Sequence, residues 1–151
     1  MNNPTTYRLR QLTKHIPPLV YQLPEEVLTA KPNPGKWSKK EIVGHLVDSA
    51  INNHIRFVRL RFELSPLTIE GYAQDDWVRA HQYQCWPTDV LLDAWRSQQQ
   101  QITELMQQVS SEELQRNCQL SNGSLETFDW LYQDYVAHLE HHLHQIVSYD
   151  W

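Results

Sequence analysis

Glycine is scarce in this 151-residue chain, with four in all, and β-branched runs are few. The long stretches are built instead from Leu, Gln, Glu, Arg and Ala, which lose little side-chain freedom in a helix. A sheet-dominated fold is thereby disfavoured. Two cysteines, Cys85 and Cys118, cannot build a disulfide framework. They suit a reducing compartment, where both stay thiols and act as small apolar side chains. No apolar run approaches the roughly 20 residues of a membrane span. The start, Met1-Asn2-Asn3-Pro4, carries no apolar signal region. The expectation is a soluble cytoplasmic protein without a membrane partner. Positive charge is also short: the net charge is −5. The only dense basic cluster, Arg56, Arg59 and Arg61, points in different directions on a helix. No basic stripe is left to follow a phosphate backbone, which argues against a nucleic-acid partner.

Hydrophobic residues make up 40% and charged residues 21%, an ordinary globular balance. One domain covering 1–151 is expected, burying roughly two thirds of its unfolded surface. Six Trp and eight His are the unusual numbers.

Helical periodicity begins at about Thr5 and runs to Leu23 through Leu9, Leu12, Ile16, Leu19 and Val20. Pro17-Pro18 should kink or interrupt it, because proline lacks the N–H donor. Pro24-Glu25-Glu26-Val27-Leu28 reads as one helical turn with proline leading, and residues 31–36 as a loop. Ser38-Lys39-Lys40-Glu41 is a capping box that opens a second helix reaching about Phe62. Residues 65–86 form a long, aromatic-rich crossover without clear periodicity, holding a short helix around Asp75–His81. Pro87-Thr88-Asp89 starts a third helix, facing Leu91, Ala94 or Trp95, Gln98, Ile102, Leu105 and Val109 inward. A helical turn at 110–114 and a small hairpin through Asn122-Gly123 follow. Thr127 caps a fourth helix over about Phe128–Tyr149. Four long helices with one long crossover predict an all-α four-helix bundle.

In the fourth helix, His138 and His142 are four residues apart and lie one above the other on one face. They fall in the stripe Phe128, Leu131, Tyr135, His138, His142 and Tyr149, which should face the interior. A buried, unpaired imidazole is costly, and a shared metal ion satisfies both rings at once. His45 lies on the inner side of the second helix. The stripe through it, Asp48, Ser49, Asn52 and Arg56, is polar where a packed seam would be apolar, which suggests a wet cavity. A third nitrogen from a separate helix would make a facial site with an open position for water or substrate, as catalytic metals have. Read from spacing alone, ordinary surface or core histidines remain the alternative. His141 and His144 point elsewhere. His15, His54 and His81 have no comparable geometry and read as ordinary.

The segment Gly35-Lys36-Trp37-Ser38-Lys39-Lys40-Glu41-Ile42-Val43-Gly44-His45-Leu46-Val47-Asp48 resembles the start of the second helix in DinB-like proteins. Tyr135 to Ile146, with its His-x-x-x-His-x-x-Gln pattern, resembles their last helix. Arg56-Phe57, Pro66-Leu67-Thr68-Ile69, Tyr72 and Trp77 resemble the YfiT-like branch. The resemblance spans about Leu23 to Ile146. It implies an up-down-down-up bundle, often a homodimer, in which His45, His138 and His142 bind a divalent metal such as zinc or nickel. YfiT-like proteins carry the label of metal-dependent hydrolases. Wider relatives are transferases or isomerases that use a low-molecular-weight thiol, bacillithiol or mycothiol.

The expected function is therefore a metal-dependent enzyme acting on a small molecule, as a hydrolase or a thiol S-transferase. The alternative is a non-catalytic, metal-stabilised dimer that binds a ligand or partner. Catalysis would rest on a metal-bound water, with Asp48 as candidate proton acceptor or ligand-orienting group; otherwise Asp48 is a helix-surface carboxylate. Arg56, about 16 Å along the helix from His45, would bind an anionic substrate group through its planar fork, with Asn52 beside it, or else form a structural salt bridge. Tyr72, Trp77 and Tyr83 would form an aromatic lid, with Tyr72 and Trp77 binding substrate, or else pack the crossover down or build a dimer interface. Trp37 reads as a packing anchor, and Trp95 and Trp130 as core.

Overall fold

Capping chemistry sets where the helices of this computed structural model begin; it describes residues 3–151. The Asn3 side chain accepts from the Thr5 and Thr6 amides at 2.8 and 3.3 Å and starts α1, Pro4–Tyr21. Leu9, Leu12, Ile16 and Val20 of this helix are buried. Contrary to the expected interruption, α1 runs through Pro17-Pro18. Those prolines leave only the Thr13 and Lys14 carbonyls without an intrahelical donor, and the helix closes a turn later, so little hydrogen bonding depends on the missing N–H groups. The short α2, Glu25–Thr29, follows Pro24.

Both halves of the capping box form at the head of α3, Lys39–Phe62. The Glu41 amide donates to Ser38 Oγ at 3.1 Å, and the Ser38 amide donates to Glu41 Oε2 at 2.8 Å. After α3 the chain makes β1, Leu67–Thr68, then α4, Gln74–His81, and a 3₁₀ turn, Tyr83–Cys85. α5, Thr88–Gln107, buries Leu91, Trp95, Gln99, Ile102 and Met106. Gln99, rather than the expected Gln98, faces inward, where its Oε1 accepts from Tyr135 Oη at 2.6 Å. A 3₁₀ turn, Glu113–Gln115, leads to β2, Asn117–Gln119, and β3, Leu125–Thr127, the expected hairpin. Gly123 closes it at φ +85°, which a Cβ-free residue adopts without strain.

Thr127 Oγ1 accepts from the Trp130 amide at 3.0 Å and opens α6, Phe128–Ile146. This helix ends before Tyr149, since Val147 is already extended. α3 packs against α5 and α6, and α1 packs against the same two, so α1 and α3 stand diagonally. The long crossover joins α3 to α5, and α1, α3, α5 and α6 make the four-helix bundle. Phe57, Phe128, Tyr132 and Tyr135 form its aromatic centre, with Phe57 5.6–5.7 Å from the other three rings. Trp95 is core, but Trp130 is 38% exposed, one position off the buried stripe through Leu131.

The crossover carries more structure than the sequence suggested. β1 pairs in parallel with β2, Leu67 opposite Cys118, forming a three-stranded sheet at one end of the bundle. Among the described residues no helix is long and apolar enough to cross a membrane.

Candidate metal centre

His45 sits two turns into α3, which is anchored by its capping box, and its ring is wholly buried. His138 and His142 lie one turn apart on α6. One nitrogen from each of the three rings lies within 4.8 Å of the others. The Nε2 atoms of His138 and His142 are 3.1 Å apart. His142 Nδ1 is 2.8 Å from Gln145 Oε1, which can only accept. The proton of His142 is therefore on Nδ1, and its bare Nε2 faces His138. Neither nitrogen of His45 has a hydrogen-bond partner, and a buried polar group left so costs about 1–3 kcal/mol.

Burial, followed by the neighbouring imidazoles, pushes the pKa of His45 down to about 3 and that of His138 down to about 4. Burial also lowers the pKa of His142, against the bond to Gln145, which raises it. All three rings are thus neutral near pH 7, the form that ligates a metal. A divalent ion would satisfy one of the two orphaned His45 nitrogens and the converging lone pairs together. The three nitrogens, all within 4.8 Å of one another, are of the type that would hold a zinc or similar divalent ion. The donor set fits such an ion.

Trp37 packs on His45, with ring centroids 4.7 Å apart. The same indole helps to wall a cleft of about 1070 Å³ that reaches His142 and Gln145. Its other walls come from α2, the 31–36 loop, Ile42 and Asp75.

Asp48 is not the helix-surface carboxylate that the sequence allowed. Its side chain is 0% exposed. Oδ1 accepts from Tyr83 Oη at 2.5 Å and lies 3.6 Å from His81 Nδ1, while Oδ2 has no partner. Burial raises its pKa, against the lowering by Tyr83 and His81. Tyr83 is itself buried and so is no lid; burial, then its bond to Asp48, pushes its phenol pKa up. His81, read as ordinary, belongs to this cluster. A visible sign of it was Gly44 inside a helix: a Cβ there would lie 2.0 Å from the Tyr83 ring.

The proposed substrate residues lie apart from the cleft, whose walls include neither Asn52 nor Arg56, Tyr72 or Trp77. Asn52 Nδ2 donates to the Asp48 carbonyl at 2.9 Å. Among the described residues Arg56 forms no salt bridge; it donates to Asn53 Oδ1 at 3.3 Å and to the Glu70 carbonyl at 2.5 Å, tying α3 to the crossover. Tyr72 stacks edge-on with Trp77 at 5.5 Å. Its hydroxyl is buried, and burial pushes its pKa up to about 12, against the lowering by Ser49 and Arg56. Cys118 is buried, whereas Cys85, expected to be inert, is exposed.

A model of the DinB superfamily matches residues 8–146. The chain belongs to the DinB superfamily. A Halalkalibacterium halodurans protein, provisionally named a metal-dependent hydrolase, is 27% identical over 128 residues, covering 85% of this chain and 74% of that one. A Bacillus cereus protein with the same provisional name is 24% identical over 140 residues, 93% of this chain and 80% of its own. Among solved structures, Bacillus subtilis YfiT superposes with a TM-score of 0.79 at 20% identity, over 97% of this chain and 86% of that one. A mycothiol-dependent maleylpyruvate isomerase gives a TM-score of 0.74 at 10% identity, over 95% of this chain and 59% of its own. At such identities these structures speak to the fold alone.

Proposed function

We propose that this protein is a metal-dependent hydrolase of a small molecule, with one divalent ion, zinc or nickel, held by His45, His138 and His142. The observation that carries the proposal is the fully buried His45 ring, which has no protein partner and faces two further neutral imidazoles. Among the described residues the metal-capable cluster has three members. That leaves room for an exchangeable ligand and favours an enzyme over a metal-stabilised binding bundle. When bound, such an ion acts as a Lewis acid and lowers the pKa of a coordinated water from about 15.7 to about 7.

This chain's own residues do the rest. Gln145 holds the His142 ring in the ligating tautomer. Trp37 covers one face of His45 and shields it from water. Asp48 engages Tyr83 and His81 rather than a histidine ligand, so its contacts favour holding the crossover against α3 over accepting a substrate proton.

The provisional names of the relatives support hydrolysis over thiol transfer. The same reading takes the protein as a cytoplasmic homodimer. The test is a screen of zinc- and nickel-loaded protein against aryl esters and amides, and against an electrophile with a low-molecular-weight thiol. Metal-dependent release of acid from esters or amides supports hydrolysis. Turnover only with the thiol present would make the protein an S-transferase, and no metal-dependent turnover of any kind would favour the binding bundle.

A further inference from the structure

The cleft that ends at His142 has walls of a particular chemistry. Val27, Ala30, Pro32, Trp37 and Ile42 line it. Val27 is 38% exposed and faces this space instead of the core. Two of the lining cations are already engaged. Lys31 Nζ is 3.1 Å from Glu41 Oε1, and Lys39 Nζ donates to the Gln145 and Ile146 carbonyls at 2.9 and 2.7 Å. The remaining charged side chains, Lys36, Glu26 and Asp75, include both signs, so the cleft has no strong charge preference. Its volume of about 1070 Å³ is at the upper end of the range for sites that enclose a drug-sized ligand.

Trp37 connects the two halves of the site. It touches the His45 ring on one side and the cleft on the other. A molecule lying in the cleft therefore meets both His142 and the apolar side chains of Val27, Trp37 and Ile42. We infer that the substrates of this centre carry an uncharged apolar acyl or aryl group, which lies along Val27 and Trp37 while the reacting polar group sits at His142. The inference rests on the reading of the centre as a metal-dependent hydrolase.

The test uses metal-loaded full-length protein, with Val27→Asp and, as control, Val90→Asp. Val90 is 49% exposed on α5, outside the cleft, so the same charge is introduced where no ligand lies. Both positions are solvent-facing, and circular dichroism checks that the variants fold. One arm follows p-nitrophenyl esters from acetate to hexanoate. The wild type should gain about two- to four-fold in kcat/KM per methylene, since transferring a CH₂ out of water is worth about a factor of four. Val27→Asp should flatten that series, and Val90→Asp should leave it intact. The other arm follows binding of neutral Nile red, independent of any reaction. It should saturate at one dye per chain and weaken at least ten-fold in Val27→Asp alone. Dye binding of this kind without ester hydrolysis would uphold the cleft and remove the hydrolase. Metal-dependent hydrolysis with a flat chain-length series and no Val27-dependent dye binding would overturn the inference and leave the hydrolase standing. Equal behaviour of the two variants in both arms would also overturn it.

Discussion

The Tyr83 hydroxyl donates to Asp48 Oδ1 at 2.5 Å, and the Tyr83 ring lies against the backbone of Gly44, one helical turn before that carboxylate. This bond fastens the crossover to α3 beside the histidine cluster. Gly44→Ala inserts a methyl 2.0 Å from the ring, with no flexible chain end to yield. Overpacking of this kind costs about 1–3 kcal/mol, and the gain in helix propensity, about 1 kcal/mol, offsets only part of it. Tyr83→Phe removes the donor and leaves both Asp48 oxygens without a hydrogen-bond partner, at about 1–3 kcal/mol. Urea denaturation should show both as lower midpoints.

The same carboxylate makes stability depend on pH in an uncommon direction. Asp48 titrates higher in the folded than in the unfolded chain because burial disfavours its charge. Between those two pKa values the folded state binds more protons, so the contribution of Asp48 to stability falls as pH rises from about 4. Asp48→Asn should therefore lose more stability relative to wild type near pH 4 than above the folded pKa. Chemical denaturation across that range checks the slope, and a variant penalty that grows with pH would contradict it.

Gln145 should matter to metal affinity without being a ligand. Removing the acceptor for His142 Nδ1 frees the ring to turn and to take the other tautomer. Partners of this type are worth about 10–100-fold in affinity. Gln145→Ala should weaken zinc binding by that order in a chelator competition, with urea stability of the metal-free protein little changed.

The two thiols should differ sharply. Cys85 is exposed, while Cys118 lies buried in β2 with its pKa raised by burial and by Glu126. A thiolate-directed reagent should label one site per native chain, mapped to Cys85 by peptide mass spectrometry, and two sites in denaturant.

Much of the bundle was legible because its signals are local. The Ser38–Glu41 capping box and the Asn122-Gly123 turn each act within a few residues, and periodicity within one helix placed His138 above His142. Joining His45 to that pair required a second helix and the family resemblance as well. What escaped the sequence depends on contacts between distant segments. The parallel pairing of Leu67 with Cys118 joins residues far apart in the chain. Asp48 read as a candidate proton acceptor or a surface carboxylate because its partners, Tyr83 and His81, arrive from the far end of the crossover. Arg56 and Asn52 looked free to bind substrate because the backbone carbonyls they engage carry no sequence signature. The apolar cleft was missed because Val27 and Trp37 belong to separate short elements whose meeting no periodicity records.

Counting metal atoms per chain tests whether His45, His138 and His142 hold a metal ion. Untagged protein would be analysed by elemental mass spectrometry beside His45→Ala and the double variant His138→Ala with His142→Ala. About one divalent ion per wild-type chain is expected, with loss of that ion in both variants. A wild-type protein that holds no metal after incubation with zinc and nickel, or variants that keep it, would rule out the three-histidine site.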